Sequence, residues 1–408
     1  MPGRHQRRRA LLAMVSSVVL TLVAGCAQLP ASELGRASAQ GVDPPGTVRY
    51  FGPDAPWNLT AAQVGRSLRY AGYADRFWRA ADLRGRDDPS FRGQVDVLFG
   101  DYSVPIYDRR EATSEVRVFR TFWGWPGTIP TGGTIPWNPS WQPAGGTDAT
   151  LLVVDPTTGS DIELWAIQRG NWSSCLTPEN LLAGYVPDRD LCVGTANLIT
   201  DAASRPVDVR RERGRTPVRG MGVEKLALLT RADEVASGRI DHALEMTVGN
   251  TMFGPACPGG ADDPGAGVSC GFFLPPATKV EHAEGPAAVC STEPGADRPA
   301  ARTDTVPSGM RFALAMTDRE IDAWLAGRQL AEPLRSTARI FAVALRDYGW
   351  IVAETSCAGA SIETDGLTNP VTAATWARLG VTSPEVGATL LDGLFTRDRI
   401  VVLDPSDR

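Results

Sequence analysis

The chain has 408 residues, 43% hydrophobic and 22% charged, which is enough apolar material for a large core and too little charge for a disordered chain. Its net charge of −6 becomes more negative if the first 25 residues leave with Arg4, Arg7, Arg8 and Arg9, so a nucleic-acid partner is not expected. Lys225 and Lys279 are the only lysines in an otherwise arginine-borne cationic charge.

The N-terminus reads as an export signal. Arg4 and Arg7 to Arg9 form a basic region, Ala10 to Val23 an apolar stretch too short to span a bilayer comfortably, and Leu22-Val23-Ala24-Gly25-Cys26 closes it. Small residues before that cysteine resemble the bacterial lipobox. This implies a signal peptide over 1–25, acylation of Cys26, and attachment to the outer face of the cell membrane. Residues 26–57, rich in Ala, Ser, Gly and Pro, are expected to be a tether, and 58–408 a single elaborated domain. An exported chain meets oxidising conditions, and six cysteines remain after Cys26. Short spacing pairs Cys175 with Cys192 and Cys257 with Cys270, leaving Cys290 and Cys357 for each other. None is arranged as CxxC, so no metal site is expected.

Along the chain, Thr60-Ala61-Ala62-Gln63 is a capping box that opens a helix, and Tyr73 to Leu83 predicts a second. Strand-like runs follow at Val95–Phe99, Val104–Tyr107 and Val116–Phe122. The Gly/Pro loop from Trp123 to Gly146 holds Trp123, Trp125, Trp137 and Trp141, which serve either as stacking platforms or as anchors onto a sheet. A hairpin spans Asp148 to Gln168. Leu151 to Val154 form an apolar strand, Asp155-Pro156-Thr157-Thr158-Gly159 the turn, and the return strand alternates, with Asp161, Glu163 and Trp165 on one face. That face is either a polar site or a solvated surface. Asn171 to Asn197 reads as loop, and Arg205 to Arg219 as a basic surface segment suited to anions.

Arg239 to Val248 predicts a strand with His242 on an apolar face, where it is either a satisfied core histidine or a general acid/base. Pro255 to Pro307 is a long loop that contains His282. Strands are expected at Met310–Met316, Trp350–Thr355, Ala360–Thr364 and Ile400–Leu403. Helices are expected from the Thr317–Glu320 capping box to Gly327 and from Pro333 to Tyr348. Alternation on Trp350–Thr355 places Glu354 with Trp350 and Val352. Many short strands, long loops and no βαβ alternation indicate a mainly β chain, a β-sandwich or jelly roll with appended helices. Dinucleotide, P-loop, GxSxG and HExxH motifs are all missing, and no cofactor is expected.

Three segments together carry a resemblance: Leu151 to Gly159 with Glu163-Leu164-Trp165, then Gly238 to Leu244, and Ala344 to Val352. They resemble a group of secreted actinobacterial lipoproteins of largely unassigned function that is similar to concanavalin-A-like jelly-roll proteins, over residues 95 to 403. The resemblance implies polysaccharide binding or cleavage, with Glu163, Trp165, His242 and Glu354 brought towards one groove. The group's pattern has Asp where this chain has Glu354. Catalytic candidates are therefore Glu163, His242 and Glu354, with Asp161, Trp165 and Trp350 as substrate-binding candidates. A glycosidase uses the carboxyls, whereas a lyase uses His242 as base. The alternative is a non-catalytic envelope protein that binds a protein or lipid partner.

Overall fold

A computed structural model describes residues 51–81, 94–168, 172–199, 218–249, 251–252, 271–281, 305–356 and 359–405. Cys26, Cys257, Cys270, His282, Cys290, Cys357 and the export signal lie outside these residues, as does the basic segment up to residue 217.

The fold is mainly β, with three mixed sheets. The largest has the order β1 (Asp96–Leu98), β12 (Ser361–Glu363), β9 (Leu244–Val248), β11 (Trp350–Thr355), β10 (Arg311–Leu314), β13 (Ile400–Val402). A four-stranded sheet orders β2 (Ile106–Asp108), β5 (Leu151–Asp155), β6 (Ser160–Trp165) and β8 (Thr195–Ile199). The third joins β4 (Gly133–Trp137), β3 (Ser114–Arg120) and β7 (Leu191–Val193). Each sheet contains a parallel pair: β1 with β12 and β9 with β11, β2 with β5, and β3 with β7. This pairing sets the chain apart from the wholly antiparallel strands of a jelly roll.

Helices cover one face of the large sheet. The main ones are α2 (Tyr73–Ala80), after the single turn α1 (Ala61–Val64), then α5 (Asp318–Ala326), α6 (Leu334–Asp347) and α7 (Pro370–Arg378). Among the described residues, α3 (Pro178–Leu182), α4 (Ala232–Ala236) and α8 (Gly387–Leu390) are short helices. Both predicted capping boxes form, Thr60 with Gln63 and Thr317 with Glu320, each satisfying two otherwise orphaned N–H groups. On this face Leu244, Met246, Val352 and Ile362 pack with Phe341, Leu345 and Trp376. Trp350 sits here too, fully buried among Phe77, Phe312 and Phe395. It is a core residue and has no surface to offer a substrate.

The opposite face of the large sheet carries Ile351 and Ala353, which pack against Met221, Val223, Ala227 and Leu228. The next residues of that covering segment, Leu226 and Leu229, pack against Leu152 and Val154 of the four-stranded sheet. Residues 218–230 are thus an inner layer between two sheets. The expected tether is packed from Phe51 onward: Phe51 and Trp57 are buried edge to face, and Arg311 donates to the carbonyls of Pro56 (2.7 Å) and Leu59 (2.5 Å). The Cys175–Cys192 disulfide is present.

Candidate functional site

A β-bulge decides where Glu354 points. Val352 pairs with Met246, yet Glu354 pairs with Thr247, so one residue is extra on β11 between them. The inserted residue reverses the alternation and moves Glu354 off the Trp350 face onto the face of Glu245 and Thr247. Simple period-two counting therefore put it on the wrong side. Ser361 pairs with Thr247, so Ser361 and Glu363 face the same way. Three carboxyls now line the inner face of the large sheet, and Glu163 approaches from β6 of the other sheet.

The inner layer supplies the counter-charges. Lys225 Nζ donates to Glu354 Oε1 (2.9 Å) and Glu363 Oε1 (2.6 Å), while its backbone N–H donates to Glu163 Oε1 (2.5 Å). One residue thus holds both sheets. Arg219 Nη1 lies 3.0 Å from Glu363 Oε2 and 3.5 Å from Glu245 Oε1. The Val218 N–H donates to Glu163 Oε2 (3.1 Å), and the Gly220 N–H to Glu354 Oε1 (3.1 Å). Four carboxyls against two cations cannot all ionise out of water. Burial, with Glu224 adding to it, pushes Glu163 up to about 7. Burial and the neighbouring Glu363 hold Glu245 well above the carboxylate range. Burial opposes charge on Glu354 as well, but Lys225 and Arg219 outweigh it and keep that carboxyl below its usual value. Burial likewise opposes the Lys225 charge, and Glu354 and Glu363 overcome it.

Glu354 is the member of this network closest to water, with 12% of its side chain exposed against 5% for Glu363 and none for Glu245. Asp148 is half-buried, and burial, with the Glu354 charge adding to it, raises it to about 6. Trp165 lies beside Asp148. The Trp165 indole stacks on Trp125 (5.3 Å, 29°) and meets Trp123 edge-on (5.7 Å). Trp123 and Trp125 are 38% and 43% exposed, so the three rings form an accessible aromatic platform. Its floor is Gly194: a Cβ there would stand 2.5 Å from Trp165 Cε3, so only a hydrogen fits under the ring. Lys279 is half-buried near Glu281 and Glu354, and burial lowers its pKa.

The structure brings together Glu163, Glu354 and Trp165 around the inner layer, but leaves Glu163 sealed with both oxygens on backbone N–H groups. Asp161 is also buried. His242 is apart from them. Its Nδ1 is 2.8 Å from the Ala243 carbonyl and its Nε2 3.1 Å from Glu234 Oε1, which makes it a satisfied core histidine. Burial works against charge on Glu234, but Arg231 and His242 hold its carboxyl below the usual range.

The Trp-rich loop divides. Trp137 and Trp141 are buried anchors, Trp141 stacked on Tyr107, while Trp123 and Trp125 stand out. A concavity of about 490 Å³ lies by Trp137 and Trp141, lined also by Glu115, Gln142, Gln168 and Arg189. Asp148 and Lys225 were not among the sequence candidates. The scarcity of lysine in an arginine-rich chain was the one signal pointing to Lys225. Among the described residues, no group of His, Cys, Asp or Glu is arranged to hold a metal ion, and no helix is long and apolar enough to cross a membrane. Compared with protein-family models, curated proteins and solved structures, the chain matches none.

Proposed function

We propose that this is an extracytoplasmic lipoprotein, anchored through Cys26, that binds a cell-envelope or extracellular polysaccharide on the Trp123, Trp125 and Trp165 platform. The observation that carries the reading is the exposed stack of indoles with a half-buried carboxyl at its edge. Flat apolar rings take the face of a pyranose, and a carboxyl beside them takes its hydroxyls. The export signal and the Cys175–Cys192 disulfide support a location in an oxidising compartment. The reading does not depend on a jelly-roll groove, and it makes no use of His242 as a base.

A second reading, docking of a protein or lipid partner, draws on Phe122 (75% exposed), Leu181 (53%) and Leu182 (90%). Calorimetric titration of the full-length protein with soluble glucans, galactan, arabinan and mannan tests the choice. Binding of one of them, weakened about tenfold by Trp125→Ala (1.4 kcal/mol), is expected. Binding of none, with capture on lipid vesicles instead, favours the second reading.

A further inference from the structure

Two concavities, of about 490 Å³ and about 350 Å³, share Pro143, Ile167 and Gln168 and so form one groove. Ile167 and Trp141 pack with Leu164, on the face of β6 opposite Trp165, so the groove is separate from the indole platform. Its rim carries Glu115, Gln142, Asp188 and Arg189, all exposed. The walls are held in place. Tyr107 Oη accepts the Gln142 N–H (3.0 Å) and donates to the Gln142 carbonyl (2.9 Å), which ties the Trp141–Pro143 wall to the sheet. Asp190 accepts from Arg117 Nη2 (2.7 Å) and from the Val186 N–H (2.7 Å), which fixes the turn that presents Asp188 and Arg189.

Backbone strain gathers around the same groove. Among the described residues, five that are not glycine have a left-handed backbone, and four of them border it. Asp188 (φ 68°) and Ala149 (φ 36°) belong to the lining, and Ala166 (φ 53°) stands between Trp165 and Ile167. The fourth is Tyr102 (φ 61°), whose ring would lie 2.8 Å from a Cβ on Gly146 of the lining. Such strain persists where the surrounding structure holds a site in shape. The lining also leaves polar groups over. Trp141 is 3% exposed and stacked on Tyr107 (5.3 Å), and its Nε1 has no hydrogen-bond acceptor among the described residues. Gln168 Nε2 donates to the Ala166 carbonyl (2.9 Å), which fixes the amide and leaves Oε1 to accept from a ligand. A buried donor without an acceptor is costly, and a ligand oxygen removes that cost.

We infer that this groove binds a short neutral oligosaccharide. Sugar hydroxyls donate and accept at once, as an indole N–H, an amide oxygen, a carboxylate and a guanidinium in one lining require. The apolar wall of Trp137, Pro143 and Ile167 takes the C–H face of a ring. The volumes are those of small-ligand sites, about 300–1,000 Å³, so the ligand is short. At the rim Glu115 and Asp188 outnumber Arg189, since Asp190 is engaged by Arg117, so an anionic sugar is repelled. The inference goes beyond the platform reading and does not rest on it.

The test titrates the full-length protein, by calorimetry and indole N–H NMR, with short gluco-, galacto-, arabino- and manno-oligosaccharides. Oligogalacturonate serves as the charged counterpart. One neutral series should bind and move the Trp141 N–H resonance downfield as that proton gains an acceptor, and oligogalacturonate should not bind. Gln168→Ala should weaken binding at least about tenfold, and Arg189→Ala, at an exposed side chain clear of the core, about fivefold. Trp125→Ala should leave it within about twofold. Three results overturn the inference: no neutral series binds, both groove variants leave binding within about twofold, or oligogalacturonate is preferred. The platform reading falls separately, if binding of the polymer survives Trp125→Ala unchanged.

Discussion

Replacing Lys225 with Met keeps the backbone N–H that holds Glu163 and removes only the ammonium between Glu354 and Glu363. Met has similar length and fills the same volume, so packing of the inner layer is preserved. What remains is two facing carboxyls, 12% and 5% exposed, of which Glu363 still has the Arg219 guanidinium at 3.0 Å. Removing one partner of a buried ion pair costs about 3–5 kcal/mol, because the orphaned charge stays out of water. For a chain of this size each kcal/mol lowers Tm by about 2 °C, so a fall of about 6–10 °C is expected. The deficit has a pH signature. Without the ammonium, the two carboxyls hold protons more tightly, so acid relieves the penalty and the fall in Tm narrows between pH 8 and pH 5. Adding Glu363→Gln to Lys225→Met removes one stranded charge and should restore part of the loss. Thermal melts followed by circular dichroism at pH 5 and pH 8 measure all three effects. A fall under about 2 °C, or one that is the same at both pH values, refutes the claim that Lys225 neutralises the network.

The stability of the unmodified protein should peak under mildly acidic conditions. Glu163 is raised to about 7 and Asp365 to about 8, both chiefly by burial, so the folded state binds more protons than the unfolded one as pH rises from about 4 to 8. Stability therefore falls across that window, while Glu354 and Glu234, held low, lose their contribution only in stronger acid. Asp365→Asn can keep the bonds from the Trp376 indole (2.7 Å) and the Ala232 N–H at one oxygen, and should raise Tm at pH 8 and flatten the slope. Gly194→Val should push Trp165 off its floor, alter the near-UV spectrum of the stacked indoles and abolish polysaccharide binding without unfolding the chain. His242→Ala should cost about 1–3 kcal/mol in denaturant melts and leave binding unchanged; lost binding in a folded variant would restore a role at the site. Trp350→Ala should cost about 3–5 kcal/mol by the same melts, the signature of a core ring.

Much of the fold was legible because period, caps and turns are local. The Asp148–Gln168 hairpin, both capping boxes and the Trp350–Thr355 strand follow from residues within a few positions of one another, and the Cys175–Cys192 bridge closes a loop of only 17 residues. What was hidden depends on partners far along the chain. β7, β8 and β4 were read as loop because their strand character comes from pairing with β3 and β6. Glu163 looked like half of a solvated face because nothing local shows that residues 218–230 cover it. Glu354 was placed beside Trp350 because a bulge is invisible to alternation.

The central claim is that the sugar sits on Trp165 and Trp125. It is tested most directly by indole N–H NMR of the full-length protein, whose 11 tryptophans report separate regions, on addition of a saturating oligosaccharide of the bound polymer. The account predicts shifts at Trp123, Trp125 and Trp165, with Trp57, Trp350 and Trp376 unmoved. Shifts confined to Trp137 and Trp141, beside the 490 Å³ concavity, or no shift at all, would contradict it.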